Sequence, residues 1–102
     1  SQSDHPDRFL QLGDLLIDLW GCQVFLAGFS LQLTPSEFLL LTALAKNPCS
    51  TLTRGEMAGA LGKQKEGRHL RLVDTHIKTL RRKLGRPGLI QTIRRKGFRI
   101  NP

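Results

Sequence analysis

The sequence predicts one α+β domain, in which an N-terminal antiparallel β-sheet is followed by three helices and a C-terminal β-hairpin. Three observations support this fold class: short apolar runs separated by glycines, two helix-start signatures, and an amphipathic stretch that leads into a basic turn. A length of 102 residues fits a single domain that folds without disulfide staples. The hydrophobic fraction of 39% is that of a globular protein, and no apolar run is long enough to span a membrane.

The N-terminal third divides into a polar start and a glycine-punctuated β region. Residues 1–8, SQSDHPDR, are polar and aperiodic, and we interpret them as a linker or a cloning remnant, with the domain spanning residues 9–102. Residues 9–33 carry apolar runs broken at Gly13, Gly21 and Gly28. Runs of this length between turn residues predict about four short strands in an antiparallel meander.

Two capping boxes mark the starts of the first two helices. Thr34 and Glu37 stand at the spacing in which each side chain binds the other residue's backbone N–H, and the intervening proline suits the first helical position. This helix is predicted to end near Asn47-Pro48. Thr53 and Glu56 repeat the spacing, and a shorter helix through residues 57–61 is predicted to end at a glycine.

The third helix is predicted to begin near Leu70, after a polar, glycine-bearing loop over residues 62–69. Its apolar positions recur with helical spacing along one stripe, at Leu70, Val73, Ile77, Leu80 and Leu84. A second set falls on a different face, at Arg71, Thr75, Lys78 and Arg82. Residues 89–101 then read as a β-hairpin with a tight Arg95-Lys96-Gly97 turn, in which Gly97 is expected to adopt a positive φ.

Charge is distributed very unevenly along the chain. Residues 1–62 hold three basic and six acidic side chains, net −3, whereas residues 63–102 hold thirteen basic and two acidic ones, net +11. A solvated surface normally mixes both signs. One end of the domain is therefore predicted to bind a polyanion.

The order of elements suggests which polyanion. A helix with one buried face and one Arg/Lys/Thr face fits the major groove of DNA. The basic hairpin tip can then reach a phosphate or the adjacent minor groove, where arginine is favoured. This arrangement is a winged helix-turn-helix, with the third helix in the major groove and the hairpin as the wing.

Four segments in the right order resemble the OmpR/PhoB family of response-regulator output domains. The run LVDTHIKTLRRKL at residues 72–84 resembles that family's recognition helix, and IQTIRRKGFR at residues 90–99 resembles its wing. LTPSEFLLL at residues 33–41 and TRGE at residues 53–56 resemble the starts of its first and second helices. Together they are far more specific than any one motif.

The resemblance implies a function and a set of partners. It implies a cytoplasmic bacterial transcription factor that binds tandem DNA half-sites as a homodimer. It also implies a receiver domain in the full-length protein, a phosphorelay that controls it, and contact with RNA polymerase through the loop at residues 62–69. No cofactor is implied.

The resemblance also implies which residues bind DNA. We expect Arg94 in the minor groove, with Thr92 and Phe98 near phosphates, whereas Asp74 pairs with an arginine. Arg81 and Lys83 either contact phosphates or are solvated. The full set of expected DNA-binding residues is Arg71, Leu72, Thr75, His76, Lys78, Thr79, Arg82, Thr92, Arg94, Arg95, Lys96 and Phe98.

Three of these positions depart from the family's usual pattern. Leu72 stands where a small polar residue is common, and it either contacts a thymine methyl or packs on the loop. Thr79 stands where a second basic residue is often found. Arg95 replaces a frequent glycine at the wing tip.

Other function classes have weaker signals. RNA or ribosome binding is the alternative, but only Phe98 interleaves with the basic cluster, and a stacking surface needs more aromatic residues. The histidines and cysteines share no metal-ligand spacing, so no metal site is predicted. No nucleophile accompanies His76, so we predict neither catalytic residues nor enzyme activity. Trp20 is expected in the core or the sheet.

Overall fold

A four-stranded antiparallel sheet opens the fold in the computed structural model, which describes residues 7–63 and 67–102. Its strands are β1 (Phe9–Leu12), β2 (Leu15–Asp18), β3 (Gln23–Leu26) and β4 (Phe29–Leu31), and each pairs with the next. Leu15 lies opposite Leu26, and Ile17 lies opposite Val24. All four are buried, so this face of the sheet packs on the core, and the predicted meander is confirmed.

Asp18 organises the turn between β2 and β3. Its Oδ1 accepts hydrogen bonds from the backbone N–H groups of Trp20 and Gly21, both at 3.1 Å, and from Arg8 Nε at 3.1 Å. Arg8, which the sequence interpretation assigned to the linker, is thereby bound to the folded domain. Trp20 was expected in the core or the sheet, but its side chain lies in the turn and is 58% exposed.

The first two helices begin at the predicted capping boxes. Helix α1 (Pro35–Lys46) follows Thr34, whose hydroxyl accepts from the Glu37 N–H at 3.2 Å. Helix α2 (Arg54–Ala60) follows Thr53, whose hydroxyl accepts from the Glu56 N–H at 3.0 Å. In both boxes the glutamate side chain binds the cap residue's N–H in return.

The third helix, α3 (Gly67–Leu84), begins one turn earlier than the sequence predicted. Gly67 and the polar residues after it were interpreted as part of a loop at residues 62–69. A helix whose apolar stripe is already packed extends at little cost through polar residues, and glycine is tolerated at a helix start. Residues 64–66 of the predicted loop lie outside the described residues.

A second sheet closes the C-terminal half. The predicted hairpin forms from β6 (Ile90–Ile93) and β7 (Gly97–Ile100), and a strand that the sequence did not predict, β5 (Leu52–Thr53), pairs with β7 on its other edge. Two residues are too few to give a periodic signal, so β5 was not recognisable from the sequence.

Gly97 of the wing turn adopts the predicted positive φ, at 158°, and Arg95 at the tip has a φ of 64°. Gly97 also lies against β5, where an added Cβ would overlap the carbonyl oxygen of Leu52 and come within 2.8 Å of the Thr53 Cα. Close backbone approach is therefore the main constraint at Gly97.

The three helices and both sheets share one hydrophobic core. Its centre is formed by side chains that are at most 1% exposed, among them Leu40, Leu41, Leu44, Met57, Val73, Ile77, Leu80, Ile90 and Ile100. Helix α3 contributes to this centre along its length, which fixes the orientation of its opposite face. Among the described residues, no helix is both long and apolar enough to cross a membrane.

A buried carboxylate joins α1 to α3. Glu37 is 2% exposed, and it accepts hydrogen bonds from Lys83 Nζ at 2.7 Å and from the Thr79 hydroxyl at 2.5 Å. Burial alone raises the pKa of this carboxyl. The hydrogen bonds from Lys83, Thr79 and the Thr34 N–H outweigh burial and lower the pKa of Glu37 to about 2 from an ordinary value of 4.5.

We expect Gly97→Ala to lower the free energy of unfolding by roughly 1–3 kcal/mol, because β5 and β7 must separate to admit the methyl group. Urea unfolding followed by circular dichroism measures this. Gly88→Ala is the matched control, since an added Cβ there meets nothing within 4 Å. An equal decrease in the free energy of unfolding in the two variants would contradict the proposed packing constraint.

The low pKa of Glu37 predicts a pH-dependent part of the stability. This part is fully present above pH 4.5 and is lost as the pH falls from 4.5 through about 2, because the unfolded chain binds the proton more tightly. It amounts to about 3 kcal/mol at most.

Urea unfolding of Glu37→Gln at pH 6 and pH 2.5 tests this prediction. The variant is expected to be less stable at pH 6 and to lose less stability on acidification than the parent. Glu56→Gln, which changes the equivalent capping glutamate at an exposed position, should keep the parent's acid sensitivity. The same acid sensitivity in Glu37→Gln and the parent would refute the assignment.

Candidate nucleic-acid interface

Helix α3 presents the side chains expected to bind DNA on the side away from the core. It buries Val73, Ile77, Leu80 and Leu84. The opposite side carries six exposed residues, Arg71, Leu72, Asp74, Thr75, Lys78 and Arg82. His76 and Thr79 are half-buried at its border. The helix therefore separates an apolar stripe from a largely cationic one, as the sequence predicted.

The wing tip adds a second cationic group. Arg94, Arg95 and Lys96 are all exposed between β6 and β7. The turn is closed by a hydrogen bond from the Lys96 N–H to the Ile93 carbonyl at 2.9 Å. A tight turn of this kind holds the three cations together at the end of the hairpin.

Four carboxylates in the described part of the chain each pair with a cation, and none of these cations lies on the exposed face of α3 or at the wing tip. Asp18 pairs with Arg8, Asp14 with Arg86, Asp74 with Arg54, and Glu37 with Lys83. Across residues 7–63 and 67–102, no acidic partner is present for three exposed cations of α3 and the three of the wing tip, Arg71, Lys78, Arg82, Arg94, Arg95 and Lys96. Their charges remain available to a polyanion.

Arg54 connects the start of α2 to α3 and to the wing. Its Nε donates to Asp74 Oδ1 at 2.8 Å, which confirms the expectation that Asp74 pairs with an arginine. Its guanidinium carbon lies 4.9 Å from the centroid of the Phe98 ring. The sequence interpretation gave Arg54 no role, because its partner is distant in the chain and only the fold brings them together.

Phe98 occupies the core rather than the expected DNA surface. Its side chain is only 2% exposed, with the guanidinium groups of Arg54 and Arg81 at 4.9 and 5.7 Å from the ring centroid. A buried ring cannot reach a phosphate or stack on a base. The expectation that the Phe98 side chain binds DNA is therefore wrong. The RNA alternative also loses the one aromatic residue that could have stacked on a base.

Arg81 binds the wing to α3, which corrects the expectation that it contacts phosphates or is simply solvated. Its Nε donates to the Ile90 carbonyl at 3.0 Å, and its Nη2 donates to the Thr92 hydroxyl at 2.7 Å. Burial lowers the pKa of Arg81. Thr92 is exposed, but its hydroxyl already accepts this bond. The direction of the wing is therefore coupled to α3 through one side chain.

Thr79 and Lys83 are turned toward α1. Both bind the Glu37 carboxylate, so the positive charge of Lys83 is compensated and the Thr79 hydroxyl proton is used within the protein. The two assignments change accordingly: Lys83 is neither a phosphate contact nor merely solvated, and the Thr79 hydroxyl is not a free donor to DNA. A long-range carboxylate such as Glu37 gives no local sequence signal beyond its capping box.

Two further predicted features can be compared with the described residues. Within residues 7–63 and 67–102, no three His, Cys, Asp or Glu side chains are grouped so as to hold a metal ion. The predicted polymerase-contacting loop at residues 62–69 is described only at its two ends, and residues 67–69 belong to α3. Its partner stays a prediction.

Comparison with known proteins agrees with this geometry. The family model described as "Transcriptional regulatory protein, C terminal" matches residues 28–100. The DNA-binding response regulator MtrA of Mycolicibacterium smegmatis is 33% identical over 103 residues, covering 97% of this chain and 45% of MtrA. The chain thus spans less than half the length of this relative.

Solved structures give the same result at the level of the fold. The RstA DNA-binding domain of Klebsiella pneumoniae, solved with the RstA box, is 29% identical with a TM-score of 0.85, over 93% of this chain and 98% of that one. DrrB, an OmpR/PhoB homologue from Thermotoga maritima, is 32% identical with a TM-score of 0.79, over 93% of this chain and 45% of that one. The chain therefore belongs to the family of transcriptional regulatory protein C-terminal domains, the winged-helix domains of OmpR/PhoB-type response regulators.

Proposed function

We propose that this domain binds double-stranded DNA in a sequence-specific way, as the transcription-regulating output domain of a response regulator. The observation that carries the proposal is the clustering of six exposed cations without an acidic partner in the described residues, three on the outer face of α3 and three at the tip of the wing. The RstA domain, which shares the fold, was solved with a DNA box. No observation favours RNA, since Phe98 is buried.

Helix α3 is proposed to lie in the major groove. That groove is about 12 Å wide and admits one helix with its side chains. Arg71, Lys78 and Arg82 lie along one exposed strip of the helix, where they can contact phosphates. His76, at the border of this face, is proposed to contact the DNA backbone.

The wing is proposed to place Arg94 in the adjacent minor groove. Its exposed guanidinium has no acidic partner in the described part of the chain, so a narrow, electronegative groove is a favourable environment for it. Arg95 and Lys96 are proposed to bind the flanking phosphates. Thr92 is proposed to donate its hydroxyl proton to a phosphate, since this hydroxyl only accepts from Arg81 and keeps its own proton.

The whole protein is proposed to carry a receiver domain as well, since this chain spans 45% of MtrA. We propose that two copies bind tandem half-sites in the bacterial cytoplasm. Selection from random duplex DNA with this domain tests these points. A half-site repeated in one orientation at about one helical turn, roughly 10–10.5 bp, is expected. Retention of DNA without any enriched sequence would refute specific recognition.

Arg82→Ala should weaken binding and flatten its salt dependence. Each phosphate contact contributes about 0.9 to the slope of log K against log salt concentration, so the variant should lose about that amount. Fluorescence anisotropy over a salt series measures the slope. Lys46→Ala removes the same charge from an exposed position at the end of α1 and should leave the slope unchanged. An unaltered slope in Arg82→Ala would place this residue off the phosphate backbone.

Arg94→Ala should reduce affinity most for operators whose wing-adjacent sequence is A·T-rich, because the narrow minor groove of such sequences attracts arginine. Competition binding with A·T-rich and G·C-rich flanks around one constant half-site measures the difference. Lys96→Ala, at the same tip, should reduce the affinity for both duplexes equally. Equal losses for the two flanks in Arg94→Ala would contradict a minor-groove position.

A further inference from the structure

Beside its cations, α3 carries an uncharged line that begins at the exposed Leu72 and Thr75 and ends at the half-buried Thr79. Leu72, Thr75 and Thr79 follow one another at helical spacings of three and four residues, so they share one side of the helix. The cationic strip of Arg71, Lys78 and Arg82 lies alongside them. Under the proposed docking, the cations face the phosphate backbone and the uncharged line faces the edges of the bases.

The hydroxyl protons on this line are already used inside the protein. The Thr75 hydroxyl donates to the Arg71 carbonyl at 3.3 Å, and the Thr79 hydroxyl donates to Glu37 Oε2 at 2.5 Å. The oxygen atoms keep only their capacity to accept. Leu72, the third member, is apolar and 42% exposed. Between Leu72 and Thr79 the line therefore offers methyl groups and acceptors, and the nearby donors belong to the cationic strip.

This chemistry matches one base pair better than the others. Guanine presents two acceptors in the major groove, N7 and O6, and finds no donor on this line. A T·A pair presents the thymine 5-methyl group together with the adenine N6 amino donor. An apolar side chain buries the methyl, and a threonine oxygen can accept from the amino group.

We propose that Leu72 reads the 5-methyl group of a thymine in the operator, and that this neutral line disfavours guanine at the positions it covers. The proposal rests on the proposed DNA-binding function and names the chemical group that is read. Exposure alone does not distinguish Leu72 from other surface leucines, because Leu39 on α1 is 43% exposed as well. What distinguishes Leu72 is its position within the cationic face of α3.

Replacing single thymines of the selected operator by deoxyuridine tests the proposal, since this change removes only the methyl group. For the parent domain, one such replacement in one half-site should weaken binding about fourfold, the value expected for losing one buried methyl group. In Leu72→Ala, the same replacement should change affinity by less than a factor of about two. Leu39→Ala serves as the matched control and should retain the parent's sensitivity.

The outcomes separate the two proposals. Failure to select any operator would refute specific DNA binding and, with it, this inference. A specific operator whose affinity is unchanged by deoxyuridine at every thymine would overturn methyl reading alone. Equal sensitivity in Leu72→Ala and the parent would overturn the assignment to Leu72. Thermal unfolding of both leucine variants verifies that each remains folded, as their exposed positions predict.

Discussion

Helix α3 has to satisfy two opposite environments at once, and the rest of the domain is arranged around that requirement. Its apolar stripe lies in the centre of the core, where Val73, Ile77 and Leu80 are at most 1% exposed. Its other side keeps cations in water. Rotating the helix in place would bury charge and expose the stripe together, so hydrophobic burial itself fixes which residues face outward.

The few carboxylates of the domain pair with four of its structural cations. Asp74 and Glu37 neutralise Arg54 and Lys83, and these pairs hold α2 and α1 against α3. Asp14 and Asp18 neutralise Arg86 and Arg8 in the same way. In each pair, the arginine lowers the pKa of the carboxyl. The excess positive charge is therefore concentrated on the surface where no carboxylate is available. Net charge alone does not reveal this division.

Local signals in the sequence were sufficient for most of the fold. The capping boxes at Thr34 and Thr53 and the stripe of α3 depend only on neighbouring residues, and each appeared as predicted. The strand at Leu52–Thr53, the burial of Phe98 and the orientation of Thr79 depend on partners far along the chain. Such contacts form only when the helices pack, so no pattern within a short window contains them.

The attachment of the wing to α3 through Arg81 has a consequence for the proposed complex. Because Arg81 binds both the Ile90 carbonyl and the Thr92 hydroxyl, the hairpin and the helix have a fixed separation before any duplex arrives. Little conformational entropy is then lost on binding. In the proposed complex, this spacing fits two neighbouring grooves only at one local twist of the double helix, so we expect overwound and underwound sites to bind more weakly.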